Sequence, residues 1–179
     1  MTLLLFILCY LVGGVLPALY VGRAKGIDIR SQGSGNPGAR NAGRMLGEKA
    51  FVLVLVLDAA KGALPVLVGK SLGFSPAVVL LLLFAVMLGH CFPILHHFRG
   101  GKGAASLLGG IIAFQPLLAV PIILAAVVLY AFIREKTKVS VLAMTVIIPM
   151  IAILHGWLAG GIALCLIALL LVTHRSYLL

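Results

Sequence analysis

The sequence predicts an all-α integral membrane protein that forms a single domain over residues 1–179. Of the 179 residues, 63% are hydrophobic and 10% are charged, which leaves too little polar surface for a soluble domain. The apolar residues fall into segments of about 20 residues, the length of a membrane-spanning helix. Basic residues concentrate between those segments, as they do on the cytoplasmic side of membrane proteins.

Six apolar segments follow one another along the chain, and one of them is long enough for two helices. Residues 104–132 are too long for one ordinary span and are interrupted at Gln115-Pro116 and again at Pro121. The segment forms either one tilted helix or two shorter helices that turn at Gln115-Pro116. Two spans in this segment bring the total to seven. The last two segments meet at a hinge, His155-Gly156. The segments are 2–21, 50–69, 76–95, 104–132, 139–154 and 157–172.

The basic residues decide between one and two spans in the long segment. With seven transmembrane helices the N-terminus is extracytoplasmic, the C-terminus is cytoplasmic, and 12 of the 14 Lys and Arg residues face the cytoplasm. A single tilted helix would place Arg134, Lys136 and Lys138 outside. The same bias explains the net charge of +10 without nucleic acid as a partner, and it favours contact with anionic membrane lipids.

The segment from residue 31 to residue 44, between the first two spans, has the composition of an oxyanion site. Its glycines allow several backbone N–H groups to converge on one anion. Its small polar side chains add donors, and its arginines add positive charge. We expect this segment to bind a phosphate through Gly33, Ser34, Gly35, Asn36, Gly38, Arg40, Asn41 and Arg44.

A second glycine-rich cluster, Gly100-Gly101-Lys102-Gly103, precedes the apolar segment at residue 104. The free N–H groups and the positive dipole end of a helix favour an anion there, and Lys102 adds a point charge. The cluster is not a Walker A loop, because His96 stands where that motif has its first glycine. Both clusters face the cytoplasm in the predicted topology, which indicates two anionic groups or one anion bound from both sides.

Other polar residues stand inside or at the ends of spans. Asp58 and Lys61 lie three apart on one helical face, which predicts an ion pair that supports the site or contacts substrate through Lys61. His90 is either a base or a hydrogen-bonded packing residue. Ser140 and His174 are expected to add anion contacts. The chain has four Asp and Glu residues and no metal-ligand spacing, so we expect no metal and no cofactor.

Together these motifs resemble those of the bacterial acyl-phosphate:glycerol-3-phosphate acyltransferase family, small membrane enzymes of phosphatidic acid synthesis. The resemblance covers essentially the whole chain. The chain departs from the family pattern at Arg40, Arg99, Lys138 and Tyr177, where threonine, lysine, an aromatic residue and asparagine are usual. The matching positions are Gly33 to Ala39, Asn41, Arg44, Asp58, Lys61-Gly62, Gly89-His90, Phe92-Pro93, Gly100 to Gly103, Ser140 and His174-Arg175.

The resemblance implies transfer of a fatty acyl group from acyl phosphate to the 1-hydroxyl of glycerol 3-phosphate, giving lysophosphatidic acid and phosphate. It implies a monomeric enzyme of the bacterial cytoplasmic (inner) membrane with its active site at the cytoplasmic face. We expect a phosphate oxygen of the donor to accept the hydroxyl proton, since no carboxylate is evidently placed as a base. The expected catalytic residues are Ser34, Asn36, Arg44, His90 and Lys102; the expected phosphate-binding residues are Gly33, Gly35, Gly38, Arg40, Asn41, Lys61, Gly100, Gly101, Gly103, Ser140 and His174, with Asp58 as structural support.

Two other functions remain open at the level of sequence. A carrier or channel for phosphorylated solutes also uses broken helices and glycine-rich loops, although its site would lie near the membrane midplane. A metal-dependent phosphotransferase acting on lipid headgroups would need a carboxylate cluster, which the sequence lacks. Chelation of metal ions separates this last class from an acyltransferase.

Overall fold

A computed structural model describes residues 2–178, and every regular element within that range is helical. This confirms the all-α fold class. The α-helices are α1 (Thr2–Gly13), α2 (Pro17–Ala24), α3 (Ala39–Leu46), α4 (Glu48–Ser71), α5 (Pro76–Cys91), α6 (Ala104–Phe114), α7 (Ala119–Ile133), α8 (Lys136–Ala143), α9 (Ile147–His155), α10 (Trp157–Thr173) and α11 (Arg175–Leu178).

In the described part of the chain, five stretches are long and apolar enough to cross a membrane. They are Thr2–Ala24, Glu48–Ser71, Pro76–His96, Pro116–Ile133 and Lys136–His155. Helices α6 and α10 are apolar but shorter. These seven helical stretches follow the predicted segments, while the number that cross the membrane and the orientation of the termini stay predictions.

The interruptions at Gln115-Pro116 and at His155-Gly156 are confirmed, whereas the one predicted at Pro121 is wrong, because α7 continues through it. Helix α6 ends at Phe114, and Gln115 takes an extended conformation with φ −155° and ψ 101° before Pro116. Helix α9 ends at His155, and Gly156 has a φ of 85°, which L side chains rarely adopt. Each break therefore has a local sequence cause, a proline in one case and a glycine in the other.

The first span contains a break that the expectation of one continuous segment over 2–21 misses. Helix α1 stops at Gly13, and α2 begins at Pro17, which occupies the first helical position. The break frees backbone carbonyls inside an apolar region. Lys61 Nζ donates to the carbonyl oxygens of Gly13 and Val15 at 3.2 and 2.7 Å, so a side chain from α4 satisfies them.

Helices α4 and α6 approach each other so closely that only glycine fits at their contact. A Cβ on Gly62 would lie 1.9 Å from the carbonyl oxygen of Ser106, and one on Gly109 would lie 2.2 Å from that of Ala59. Small residues at helix contacts are common in membrane proteins because association there depends on close packing. This contact fixes the distance between α4, which carries Asp58, and the start of α6.

Helix α5 occupies the centre of the molecule and contacts α1, α4, α6 and α10. Its large side chains, such as Leu80, Leu83 and Met87, are fully buried. At the periphery, apolar side chains point outward, and Phe132 and Trp157 are 83% and 89% exposed. Exposed apolar surface of this kind suits contact with lipid.

The interval 22–49 between the first two spans contains a short helix, α3, where no helix is predicted from the sequence. Glycines flank it on both sides, Gly38 at its N-cap and Gly47 at its C-cap. Buried Asn41 and Ala42 face the protein, while Arg40 and Arg44 lie on the same short helix. Helix α3 packs against α4 and so brings the first glycine-rich motif to the end of the bundle.

Candidate active site

The predicted clusters meet around one cavity of about 270 Å³. Its walls come from the 34–44 segment with α3, from α4, from the end of α5, from the start of α6, from α8 and from the C-terminal segment. Twelve of the predicted site residues line it: Ser34, Asn36, Gly38, Arg40, Asn41, Arg44, Asp58, His90, Lys102, Gly103, Ser140 and His174. All five residues expected to be catalytic are in this set.

The other five predicted residues lie outside the lining. Gly33 and Gly35 have positive φ values of 58° and 68° in the turn before α3. Lys61 reaches the break between α1 and α2. Gly100 and Gly101 fold back against the end of α5, as described below.

Two helices direct their N-termini at the cavity. Gly38 is the N-cap of α3 and Gly103 is the N-cap of α6, and both residues line the cavity with the first helical residues that follow them. A glycine cap has no side chain to accept from the first-turn N–H groups, which remain available to an anion. By contrast, α8 is capped by Glu135, which accepts from the backbone N–H groups of Lys138 and Thr137. These two bonds hold the pKa of Glu135 below its usual value.

Three side chains bring positive charge to the cavity: Arg40, Arg44 and Lys102. Arg40 Nη1 donates to Thr137 Oγ1 on α8, so the arginine links α3 to α8, and both residues line the cavity. Partial burial lowers the pKa of Lys102. A phosphate in this cavity would meet cations and helix N-termini together.

Asn41 holds the first motif in shape. Its Nδ2 donates to the carbonyl oxygens of Ile29 and Gln32, both at 3.0 Å, and its Oδ1 accepts from the Ser34 N–H at 2.9 Å. Its side chain is 1% exposed. Both amide donors are occupied, so Asn41 leaves no side-chain N–H for a ligand, and its geometry supports a role in fixing the Ser34 loop.

An ion pair lies beneath the cavity. Lys61 Nζ is 2.9 Å from Asp58 Oδ1, as the three-residue spacing predicts, and both side chains are buried. With the two carbonyl acceptors at the α1–α2 break, the ammonium has three partners, the number that it can serve. Asp58 Oδ1 is also 3.6 Å from His90 Nδ1. Asp58 and His90 line the cavity floor, whereas Lys61 lies outside the lining and donates to the carbonyl oxygens at the α1–α2 break.

Gly100 and Gly101 of the second glycine-rich cluster lie so close to His90 that no side chain fits at either position. The N–H of Gly101 donates to the His90 carbonyl oxygen at 2.9 Å, and the N–H of Gly100 donates to that of Cys91 at 3.1 Å. A Cβ on Gly101 would lie 2.2 Å from His90 Nε2. His90 is thus enclosed between α5 and this loop, and the loop delivers Lys102 to the cavity.

His174 and Ser140 close the cavity on the side of α8 and α10. His174 Nδ1 lies 2.9 Å from the carbonyl oxygen of Leu170, so Nδ1 is the donor of that bond. Burial lowers the pKa of His174, and the positive charges of Lys102 and Arg40 act in the same direction, which favours the neutral ring. Ser140 Oγ donates to the carbonyl oxygen of Lys136 at 2.6 Å, within its own helix.

The remaining wall of the cavity is apolar and was not assigned from sequence. Phe51 and Leu55 on α4, Leu108 on α6 and Val141 on α8 line it, together with Met144. Apolar residues are so frequent in this chain that no local signal distinguishes these five. The cavity therefore combines a cationic, glycine-rich end with an apolar wall, a combination that suits a ligand with a phosphate head and a hydrocarbon tail.

Comparison with known proteins gives the family. The family model described as glycerol-3-phosphate acyltransferase matches residues 3–178. The chain belongs to the glycerol-3-phosphate acyltransferase family. A member from Thiobacillus denitrificans is 40% identical over 184 residues, which cover 99% of this chain and 92% of the relative. Glycerol-3-phosphate acyltransferase 1 of Bacillus cereus is 39% identical over 158 residues, with 88% and 86% of the two chains covered.

Solved structures of the same family agree with the fold. The crystal structure of PlsY, an integral membrane glycerol 3-phosphate acyltransferase, in its glycerol 3-phosphate form is 33% identical and superimposes with a TM-score of 0.89 over 99% of this chain and 90% of that one. The lysophosphatidic acid form of PlsY gives 32% identity and a TM-score of 0.87, with 99% and 89% covered. Membership of this acyltransferase family confirms the resemblance stated from the motifs.

Proposed function

We propose that this protein transfers a fatty acyl group from acyl phosphate to the 1-hydroxyl of glycerol 3-phosphate, giving lysophosphatidic acid and inorganic phosphate. The observation that carries the proposal is the cavity in which two glycine-capped helix N-termini and three cationic side chains face an apolar wall. Both substrates carry a phosphate, and the donor also carries an acyl chain. PlsY, a structural relative of this chain, is described in both a glycerol 3-phosphate form and a lysophosphatidic acid form, which supports the acceptor and the product proposed here.

The chemistry needs little activation of the donor, because acyl phosphate is a mixed anhydride. The 1-hydroxyl oxygen attacks the acyl carbon and forms the ester C–O bond, while the bond from that carbon to the phosphate oxygen breaks. The bonding electrons leave with the phosphate. The main contributions of the protein are then position and stabilisation of developing negative charge.

The cationic residues bind the two phosphates and stabilise the leaving group. Lys102 and the N-terminus of α6 line the cavity, as do Arg44 and the N-terminus of α3. Ser34 and Asn36, which line the cavity before α3, donate hydrogen bonds to a phosphate or to the developing oxyanion. The acyl chain lies along the wall formed by Phe51, Leu55, Leu108, Val141 and Met144.

The hydroxyl proton passes to a phosphate oxygen of the donor. The phosphate gains negative charge as the bond to the acyl carbon breaks, so one of its oxygens can take the proton as it leaves. His90 is enclosed by Gly101 and lies beside Asp58, and this environment supports a role in holding the cavity floor. Full loss of turnover in His90→Ala with unchanged substrate binding would instead make His90 the base.

The reaction requires no metal and takes place at the cytoplasmic face of the bacterial cytoplasmic membrane, in a monomer. Within residues 2–178, no three His, Cys, Asp or Glu side chains gather in a group that could hold a metal ion. The concentration of basic residues around the cavity supports the cytoplasmic location.

Purified protein in a lipidic environment tests the proposal. It is given acyl phosphate with and without glycerol 3-phosphate, and phosphate release and lysophosphatidic acid are followed together. We expect release that depends on glycerol 3-phosphate, matches product one for one and survives EDTA. Phosphate release without acceptor, or turnover with an acyl thioester only, would contradict the proposed donor chemistry.

A further inference from the structure

The C-terminal segment after α10 lies against the cavity and is tied to it at both ends. Thr173 Oγ1 donates to the Lys102 carbonyl oxygen at 3.0 Å. Five residues later, the Leu178 carbonyl oxygen accepts from Lys138 Nζ on α8 at 3.2 Å. Tyr177, between these two ties, lines the cavity. The segment therefore forms part of the cavity wall.

Within this wall, the ammonium of Lys102 has two partners from the C-terminal segment. Its Nζ lies 3.8 Å from the centroid of the Tyr177 ring and 3.2 Å from Ser176 Oγ. The ring distance is well inside the limit of about 6 Å for a cation–π contact. The Tyr177 ring also lies near that of His174, with centroids 6.3 Å apart.

Lys102 needs such a partner because its neighbours are unfavourable for a free ammonium. Arg40 and Arg44 line the same cavity, and their charges repel it. A carboxylate partner would neutralise the ammonium and compete with a substrate phosphate. The face of an aromatic ring attracts the cation and leaves its charge in place, so the ammonium can still donate to an incoming phosphate.

We propose that Tyr177 is a positioning residue for Lys102, whose ammonium its ring holds at the cavity for a substrate phosphate. This inference rests on the proposed function, because it takes Lys102 as a phosphate-binding group. It assigns the contribution of Tyr177 to the ring face and not to the hydroxyl. Substitutions at this position should therefore rank by the strength of their cation–π interaction.

A series of substitutions at residue 177 tests this ranking. Wild type, Tyr177→Phe, Tyr177→Trp, Tyr177→Leu and Tyr177→Met are compared by kcat/KM with acyl phosphate and glycerol 3-phosphate. The Ki of inorganic phosphate as product inhibitor is measured in parallel. We expect Phe within about threefold of wild type and Trp equal to it or better, because both keep a ring face. Leu and Met should lose roughly 5- to 30-fold in kcat/KM and raise the Ki of phosphate by a similar factor.

Tyr130→Leu is the matched control, since Tyr130 belongs to α7 and lies outside the cavity lining. It should leave kcat/KM and the Ki unchanged. Thermal unfolding of each variant shows whether the fold is kept, and the retained activity of Phe shows that residue 177 tolerates substitution.

Two results would overturn the inference. One is Leu or Met matching wild type, which would mean that apolar packing is sufficient. The other is Phe losing as much as Leu, which would assign the effect to the hydroxyl. Neither result affects the proposed transferase function, which the turnover of the wild-type protein tests separately.

Discussion

The ammonium of Lys61 lies 2.9 Å from the carboxylate of Asp58, one helical turn away, and it also donates to two carbonyl oxygens freed where the first span breaks. One side chain thus connects the cavity floor to the α1–α2 break. Ionisable groups inside a membrane segment are costly unless paired, and here a buried cation and a buried anion lie next to each other. The arrangement explains why a broken helix can pass beside α4.

Removing one partner of this pair should destabilise the protein more than removing both. In Lys61→Met, the buried Asp58 loses its partner, and the free energy of unfolding should fall by about 3–5 kcal/mol. The double variant Asp58→Asn, Lys61→Met no longer buries an unpaired charge and should be less destabilised than Lys61→Met alone. Unfolding of both variants in detergent micelles measures the difference. If the double variant is the less stable of the two, Asp58 is not paired with Lys61 in the folded protein.

The glycine contact between α4 and α6 predicts a steric effect at one position and none at another. Gly62→Ala places a Cβ 1.9 Å from the Ser106 carbonyl oxygen and should cost about 1–3 kcal/mol through overpacking. Gly161→Ala on α10 is the matched control, because no atom outside its own helix and chain neighbours lies within 4 Å of the new Cβ. Its stability should be unchanged or slightly raised. Equal loss in both variants, measured by thermal unfolding, would argue against the close approach of α4 and α6.

Alkaline pH should reduce activity through Lys102. Burial lowers the pKa of this residue, so its ammonium loses the proton at a pH below the ordinary lysine range, and kcat/KM should fall as pH rises through that value. Lys102→Arg keeps its charge throughout and should lack this alkaline limb, even where its activity at neutral pH is lower. The measurement is kcat/KM against pH, corrected for spontaneous hydrolysis of acyl phosphate. An alkaline limb that is identical in both proteins would assign the titration to another group.

Arg40 brings a positive charge to the cavity and also donates to Thr137 on α8. Two substitutions separate the effect of the charge from that of the hydrogen bond. Arg40→Met removes a charge from the phosphate site and should raise KM for the phosphate substrates roughly tenfold or more, as expected for a charge-assisted hydrogen bond. Thr137→Val removes only the acceptor on α8 and should change KM less than about threefold. Steady-state kinetics of the two variants measure these changes in KM. An equal effect of the two substitutions would mean that the bridge matters and the charge does not.

Features that depend on the chemical type of a residue and its neighbours in sequence were predictable. The Asp58–Lys61 pair follows from a three-residue spacing, and the breaks at Gln115 and Gly156 follow from a proline and a glycine. The convergence of the two glycine-rich motifs was predictable because both were expected at one membrane face. The structure then brings both motifs to one cavity.

Features that depend on distant partners were not predictable. The α1–α2 break is tolerated because Lys61, which is 46 residues beyond Val15, satisfies its carbonyls. Helix α3 has a glycine, Gly38, at its N-cap and no side-chain capping hydrogen bond, so its sequence carries no signal of a helix start. The donors of Asn41 were expected on a ligand, but they bind the backbone of the preceding turn. Tyr177 reaches Lys102 only through the path of the chain after α10.

The assignment of the active site is tested by comparing two lysines in the acyl transfer assay. Lys102→Gln removes a charge from the cavity, and Lys49→Gln removes the same charge from the exposed first turn of α4, outside the cavity lining. We predict that Lys102→Gln lowers kcat/KM for glycerol 3-phosphate-dependent product formation roughly 100-fold or more, while Lys49→Gln stays within about twofold of wild type. Similar activity in the two variants would contradict the assignment of this cavity as the active site.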